Sequence, residues 1–156
     1  MSLDAARDEK IKARDTIFRL LKFRLRSEQE IRTKLKTKKF SDETVNSTVQ
    51  YFKQLQLIDD RQFAKSWIAA RLARPLGINR IRFELKTKGI AEDLIKEQLN
   101  AIDDTYSELE TVLELGKRRF AKYKNIEPMK AKRRTFEYLS RRGFKTETIS
   151  KAIRQL

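Results

Sequence analysis

The chain has 156 residues, 39% hydrophobic and 38% charged, with no Cys and no His. Those two absences exclude disulfides, thiolate and imidazole chemistry and the common zinc sites. The 37 Lys and Arg against 22 Asp and Glu leave a net charge of +15, a field that attracts polyanions: nucleic acid, an anionic membrane or an acidic protein surface.

Only four Gly and two Pro occur, so helix interiors run largely unbroken and the composition points to an all-α protein. The first helix is expected from about Asp4 to Arg26, with Ile17, Leu20 and Leu21 inward. Ser27-Glu28-Gln29-Glu30 is a capping box, in which Ser27 and Glu30 exchange hydrogen bonds with each other's amides. The next helix buries Ile31 and Leu35, four apart on one face. After Phe40, Ser41-Asp42-Glu43 restarts the chain with two carboxylates at a positive helix N-terminus. Val45, Val49 and Phe52 form the third stripe.

The same plan recurs. Asp59-Asp60 caps a helix with Phe63, Ala64, Trp67 and Ile68 inward, and Arg74-Pro75-Leu76-Gly77 breaks it. Ile78, Ile81 and Leu85 lead to Gly89-Ile90, and Glu92-Asp93 opens a helix carrying Leu94, Ile95, Leu99 and Ile102. A third unit is expected to begin near Asp103-Asp104, with Leu109, Val112, Leu113, Gly116 and Phe120 at helical spacing. Asn125 to Pro128 form its loop. Phe136, Leu139, Phe144, Ile149, Ile153 and Leu156 complete its core.

Residues 81–90 match residues 31–40 at six of ten positions, and Leu139-Ser140-Arg141-Arg142-Gly143-Phe144 is a looser echo. Three tandem three-helix repeats are therefore expected, over residues 1–58, 59–102 and 103–156, forming an elongated, curved array about 50 Å long. The first helix of each unit is the expected spacer. Gly89 and Gly143 fall where a helix ends in a left-handed turn, which Gly adopts at little cost. Lys39 holds that position in the first unit. If left-handed, it costs about 1 kcal/mol, and Lys39→Gly is expected to stabilise the protein.

The charge is distributed: 14 basic and 8 acidic residues in 1–58, 9 and 6 in 59–102, 14 and 8 in 103–156. There is no basic tail, so the excess belongs to folded faces. No apolar run approaches the ~20 residues of a membrane span, and Met1-Ser2-Leu3-Asp4 opens no signal peptide. No phosphate-binding loop or nucleophile–base pair is present, and the pairs Asp59-Asp60 and Asp103-Asp104 read as helix caps. No cofactor, metal or catalytic residue is expected.

What remains is basic residues on helices. Arg82 and Lys86 lie four apart, away from the Ile81/Leu85 face, and Arg32 and Lys36 repeat the stripe. Like charges at this spacing cost a few tenths of a kcal/mol. Their retention suits either a binding role or a solvated face. The third unit offers instead Lys117-Arg118-Arg119, Lys132-Arg133-Arg134 and Arg141-Arg142, with few interleaved aromatics, which argues against a base-stacking platform. Trp67 sits at core spacing with Phe63 or makes a partly exposed contact. Arg71, four residues on, stacks on its ring or reaches a partner.

Leu57-Ile58-Asp59-Asp60-Arg61-Gln62-Phe63-Ala64, then Arg71, then Gly77 through Ile90 with Glu84-Leu85 and Lys88-Gly89-Ile90, closely resembles the RecX family. Ser27-Glu28-Gln29-Glu30 with Lys34-Leu35 fits the family's first unit, and Arg142-Gly143-Phe144 fits the third. The resemblance implies tandem three-helix repeats and a non-enzymatic regulator of the recombinase RecA. Such a protein binds RecA–DNA filaments, lowers ATP hydrolysis and strand exchange, and favours filament disassembly, in DNA repair, recombination and the SOS response. The expected partners are the RecA filament and single- or double-stranded DNA, with no membrane, for a cytoplasmic monomer. The alternative is direct DNA binding through helix-turn-helix-like units. The expected partner-binding residues are Arg71, Arg74, Arg80, Arg82, Lys86, Lys88, Arg32, Lys36, Arg133, Arg134, Arg141 and Arg142.

Overall fold

The computed structural model describes residues 2–102 and 104–156. Among them are nine α-helices and no strand: α1 (Leu3–Phe23), α2 (Glu28–Thr37), α3 (Asp42–Gln54), α4 (Asp60–Leu72), α5 (Ile78–Thr87), α6 (Glu92–Asn100), α7 (Glu108–Phe120), α8 (Pro128–Arg141) and α9 (Thr146–Ile153). Each consecutive three pack on one another around their own core. Among the described residues, every hydrogen bond between units joins neighbours, so the units form an open array.

The sequence signals place most helix starts. The Ser27–Glu30 capping box is complete. Ser41 caps α3, Asp59 accepts from the Arg61 and Gln62 amides, and Pro128 stands at the start of α8. The third unit differs from expectation. Asp103 lies outside the described residues and Asp104 sits in a turn, while Ser107 caps α7 through the Glu110 amide. Of the Asp59-Asp60 pair only Asp59 caps α4; the Asp60 carboxylate turns to the first unit and accepts from the Glu28 amide.

Ala13, Ile17, Ile31, Leu35, Val45, Val49 and Phe52 are fully buried in the first core. Phe63, Ile68, Ile81, Leu85, Ile95 and Leu99 fill the second. The third is smaller, around Val112, Leu139, Phe144 and Ile149. There Thr135 stands where the second unit has Ile81, fully buried, with its hydroxyl donating to the Ala131 carbonyl at 2.9 Å. A satisfied hydroxyl avoids the cost of an unpaired polar group but gives less apolar burial. The Trp67 ring is half-buried and stacks on Phe63, centroids 5.5 Å apart, and the Arg71 guanidinium lies over the Trp67 ring, 4.4 Å from its centre.

All three left-handed turns form: Lys39 at φ 65°, Gly89 at 79° and Gly143 at 86°. Two of them join the units. The turn after α5 sits on the N-terminus of α2, where fully buried Ser27 donates to the Lys88 carbonyl at 2.7 Å. Lys88 Nζ meets Glu30 at 2.8 Å, and Asp60 accepts from the Glu28 amide at 2.9 Å. The turn after α8 sits on the N-terminus of α5. There the Gly77 amide donates to the Arg142 carbonyl at 2.8 Å and the Asn79 amide to the Gly143 carbonyl at 3.1 Å. The joins therefore lie mainly on the middle helices, with Asp60 at the start of α4 as the first-helix contribution, rather than on the expected first-helix spacer. The reason is electrostatic. At the second junction the carbonyls that end α8 satisfy free N–H groups that open α5; at the first the Lys88 carbonyl takes the Ser27 hydroxyl, while Asp60 satisfies the Glu28 amide, so in both a negative helix end meets a positive one.

Candidate binding surface

Middle helices α2, α5 and α8 thus run end to end. Their 10, 10 and 14 residues, joined at two junctions, amount to about 50 Å of helix. Ten of the twelve expected partner-binding cations lie on these helices or the turns that end them; Arg74 lies in the loop before α5, and Arg71, on α4, packs beside α5. The geometry separates them into three sets.

Three are built into the scaffold. Arg71 pairs with Glu84 at 2.8 Å, where Glu84 also accepts from Trp67 Nε1 at 2.9 Å. Lys88 spans the first junction and lies 5.3 Å from the Trp67 ring centre. Arg142 spans the second, donating to the carbonyls of Pro75 at 3.2 Å and Arg74 at 3.0 Å.

Five are held by surface ion pairs. Arg80 meets Glu84 at 3.3 Å. Arg82 and Lys86 share Glu92 at 3.7 and 3.0 Å, and Arg133 reaches Glu137 at 3.9 Å. Arg32 meets Glu28 at 3.0 Å and the Asn46 carboxamide at 2.7 Å. The repeated Arg–Lys stripe is therefore not equivalent in its two copies: Lys36 is exposed and unpaired, whereas Lys86 is paired.

Lys36, Arg74, Arg134 and Arg141 are exposed and meet no carboxylate; Arg134 lies 6.0 Å from the Tyr123 ring centre. They sit on α2, the loop before α5, and α8, so each unit of the array offers a free cation. Among the described residues no cluster of acidic side chains could hold a metal ion, and no helix is long and apolar enough to cross a membrane.

Family models for the first, second and third three-helix domains of RecX match residues 13–52, 59–99 and 106–153. A regulatory protein RecX from Chlorobium phaeobacteroides (strain BS1) is 35% identical over 146 residues, covering 93% of this chain and 93% of the relative. The chain belongs to the RecX family. A second regulatory protein RecX, from Clostridium perfringens (strain 13 / Type A), is 29% identical over 151 residues, 96% of this chain and 70% of the relative. A crystal structure of regulatory protein RecX superposes with a TM-score of 0.83 at 25% identity, over 97% of this chain and 74% of that one. RecX from Lactobacillus salivarius shares the fold, with a TM-score of 0.84 at 21% identity over 96% and 97% of the two chains. Membership in RecX supports a regulatory role.

In this RecX chain the junction chemistry was the part hidden from sequence. Glu30 reads as a capping residue, yet it accepts from Arg24 at 2.6 Å and Lys88 at 2.8 Å as well as from the Ser27 amide at 3.0 Å. Burial pushes its carboxyl up, but these three donors outweigh that and hold its pKa at about 2. Burial pushes the Asp60 carboxyl above its usual range, against the pull of the Glu28 amide. Asp59-Asp60 opens the second unit and the capping box lies in the middle of the first, so no local signal paired them.

Proposed function

We propose that the protein regulates RecA by lying along RecA–DNA filaments, lowering ATP hydrolysis and recombinase activity and limiting filament extension, and so modulating DNA repair. It does so without catalysis of its own, as a cytoplasmic monomer. The observation that carries this reading is the end-to-end stacking of α2, α5 and α8 in a RecX-family chain. It spreads cations over about 50 Å of helix, a length suited to a repeating, extended partner. Each cation contributes little alone, but linked contacts add through effective concentration. The test is RecA on single-stranded DNA with ATP. Hydrolysis should fall as the protein is added at up to equal amounts, and filaments should shorten. Unchanged hydrolysis and filament length would overturn the reading. Salt-sensitive, RecA-independent DNA binding with sequence preference would favour the helix-turn-helix-like alternative instead.

A further inference from the structure

A cleft of about 600 Å³ lies where the first two units meet. Leu20 and Arg26 line it from the first unit's start, Gln29, Thr33 and Lys34 from one stripe of α2, and Thr87 from the end of α5. The hydrogen-bonding groups of this cleft are unevenly committed. Its one carboxylate, Glu30, already accepts from Arg24, Lys88 and the Ser27 amide. The Thr37 and Thr87 hydroxyls already donate to the carbonyls of Thr33 and Phe83. By contrast Arg26 and Lys34 meet no carboxylate, and the Arg26 Nε is buried without an acceptor. Thr33 and Gln29 keep their side-chain donors uncommitted. What is free in the cleft is therefore two cations and two neutral donors, with the local negative charge already neutralised.

We propose that this cleft binds a phosphate group, and that Arg26 and Lys34 are its charged contacts. A guanidinium and an ammonium flanked by a hydroxyl and a carboxamide match a phosphate's acceptor oxygens. The same chemistry serves the backbone of a nucleic-acid strand or a free nucleotide. Neither residue belongs to the repeated Arg–Lys stripe: the second unit carries Leu76 and Glu84 at the corresponding places, so the site is particular to the first junction. Because Lys88 and Thr87 come from the second unit, occupancy would also bias how the first two units sit together.

The test uses the full chain without RecA, so its outcome is independent of the RecA reading. Anisotropy of a labelled oligo-dT measures strand binding, and competition by ATP and by inorganic phosphate distinguishes the sources. Arg26→Gln/Lys34→Gln should weaken oligo-dT about tenfold and make the salt dependence shallower, by about 1.4 in the slope of log K against log salt. Lys12→Gln/Arg19→Gln, which removes the same charge from α1, should change both little. Lys34→Gln alone, at an exposed position, carries the test if the double variant melts early. Loss of ATP or phosphate binding alone in the cleft variants supports the cleft with a free-phosphate source. Equal losses in both double variants, no loss in the cleft variants, or no binding in any arm would overturn the proposal.

Discussion

Gly77 has no room for a side chain because Gly143 occupies the space. A β-carbon at 77 would lie 2.1 Å from both the carbonyl carbon and the oxygen of Gly143. The backbone at Gly77 is ordinary, at φ −75° and ψ 154°, so conformation alone would admit any residue. Its counterpart in the first unit is Ser27, whose hydroxyl makes the contact to the second unit. The second junction is backbone against backbone, and thus closer. Ser is as good an N-cap as Gly or better by a few tenths of a kcal/mol. If capping were the only role, Gly77→Ser would be neutral or stabilising. The clash predicts the opposite, a loss of about 1–3 kcal/mol by urea unfolding.

Lys39 and Gly89 share a left-handed turn but not its surroundings. A β-carbon on Gly89 would meet Gln29 within 2.5 Å, including the Gln29 β-carbon, whereas the first unit's turn has no preceding unit against it. This explains why a side chain is tolerated at 39. Lys39→Gly should stabilise the protein by about 1 kcal/mol. Gly89→Ala should cost more than that, because strain and steric contact add. Paired thermal melts check both, and a stabilising Gly89→Ala would contradict the junction geometry.

Glu30 makes the first junction sensitive to acid. Its carboxyl has an ordinary pKa of 4.5 and sits at about 2 in the folded chain, so the folded state favours the carboxylate. The resulting stability is complete above pH 4.5 and is lost as pH falls toward 2. The side chain is 16% exposed, and the contribution is on the order of 2–3 kcal/mol at neutral pH. Asp60 acts in the opposite sense, since burial raises its pKa and protonation relieves it. Urea midpoints measured from pH 6 to pH 2 should fall for the wild type, with a clearly smaller fall for Glu30→Gln.

Glu84 gathers three donors: Trp67 Nε1, Arg71 at 2.8 Å and Arg80 at 3.3 Å. Glu84→Ala leaves a half-buried indole N–H and guanidinium without their acceptor, which costs about 1–3 kcal/mol. Trp67 is the sole tryptophan, so its fluorescence reports the site directly. The expected result is a shifted emission maximum in the native state and an earlier urea midpoint.

The helices and cores were legible because they depend on local patterns. Ile31/Leu35 and Ile81/Leu85 repeat at helical spacing, and Ser27–Glu30 carries its cap in four residues. The junctions were not legible because their partners are distant in sequence: Asp60 reaches the Glu28 amide, Lys88 reaches Glu30 and Arg142 reaches Pro75. The pattern that revealed the repeats also concealed the difference between their copies. Lys36 and Lys86 look equivalent, yet only Lys86 finds a carboxylate, because Glu92 follows α5 at a place where the first unit has Asp42 and no matching ion pair. Gly77 read as part of a helix break, since nothing local reveals that another unit's backbone fills its space.

The division among the twelve cations predicts separable effects. Lys36→Gln/Arg74→Gln/Arg141→Gln removes exposed charges that meet no carboxylate, so stability should change by less than about 0.5 kcal/mol. If these cations contact the RecA–DNA filament, the amount needed to halve ATP hydrolysis should rise several-fold, with the difference growing as salt is lowered. Arg142→Gln should behave differently: it removes the bonds to Arg74 and Pro75 that tie the third unit to the second, and so lowers the urea midpoint before any effect on RecA is considered. Arg82→Gln/Lys86→Gln is the better neutral probe of the repeated stripe than charge reversal, because two new carboxylates beside Glu92 would repel it. A triple variant that folds normally and inhibits RecA as fully as wild type would place the filament contact away from these three free cations.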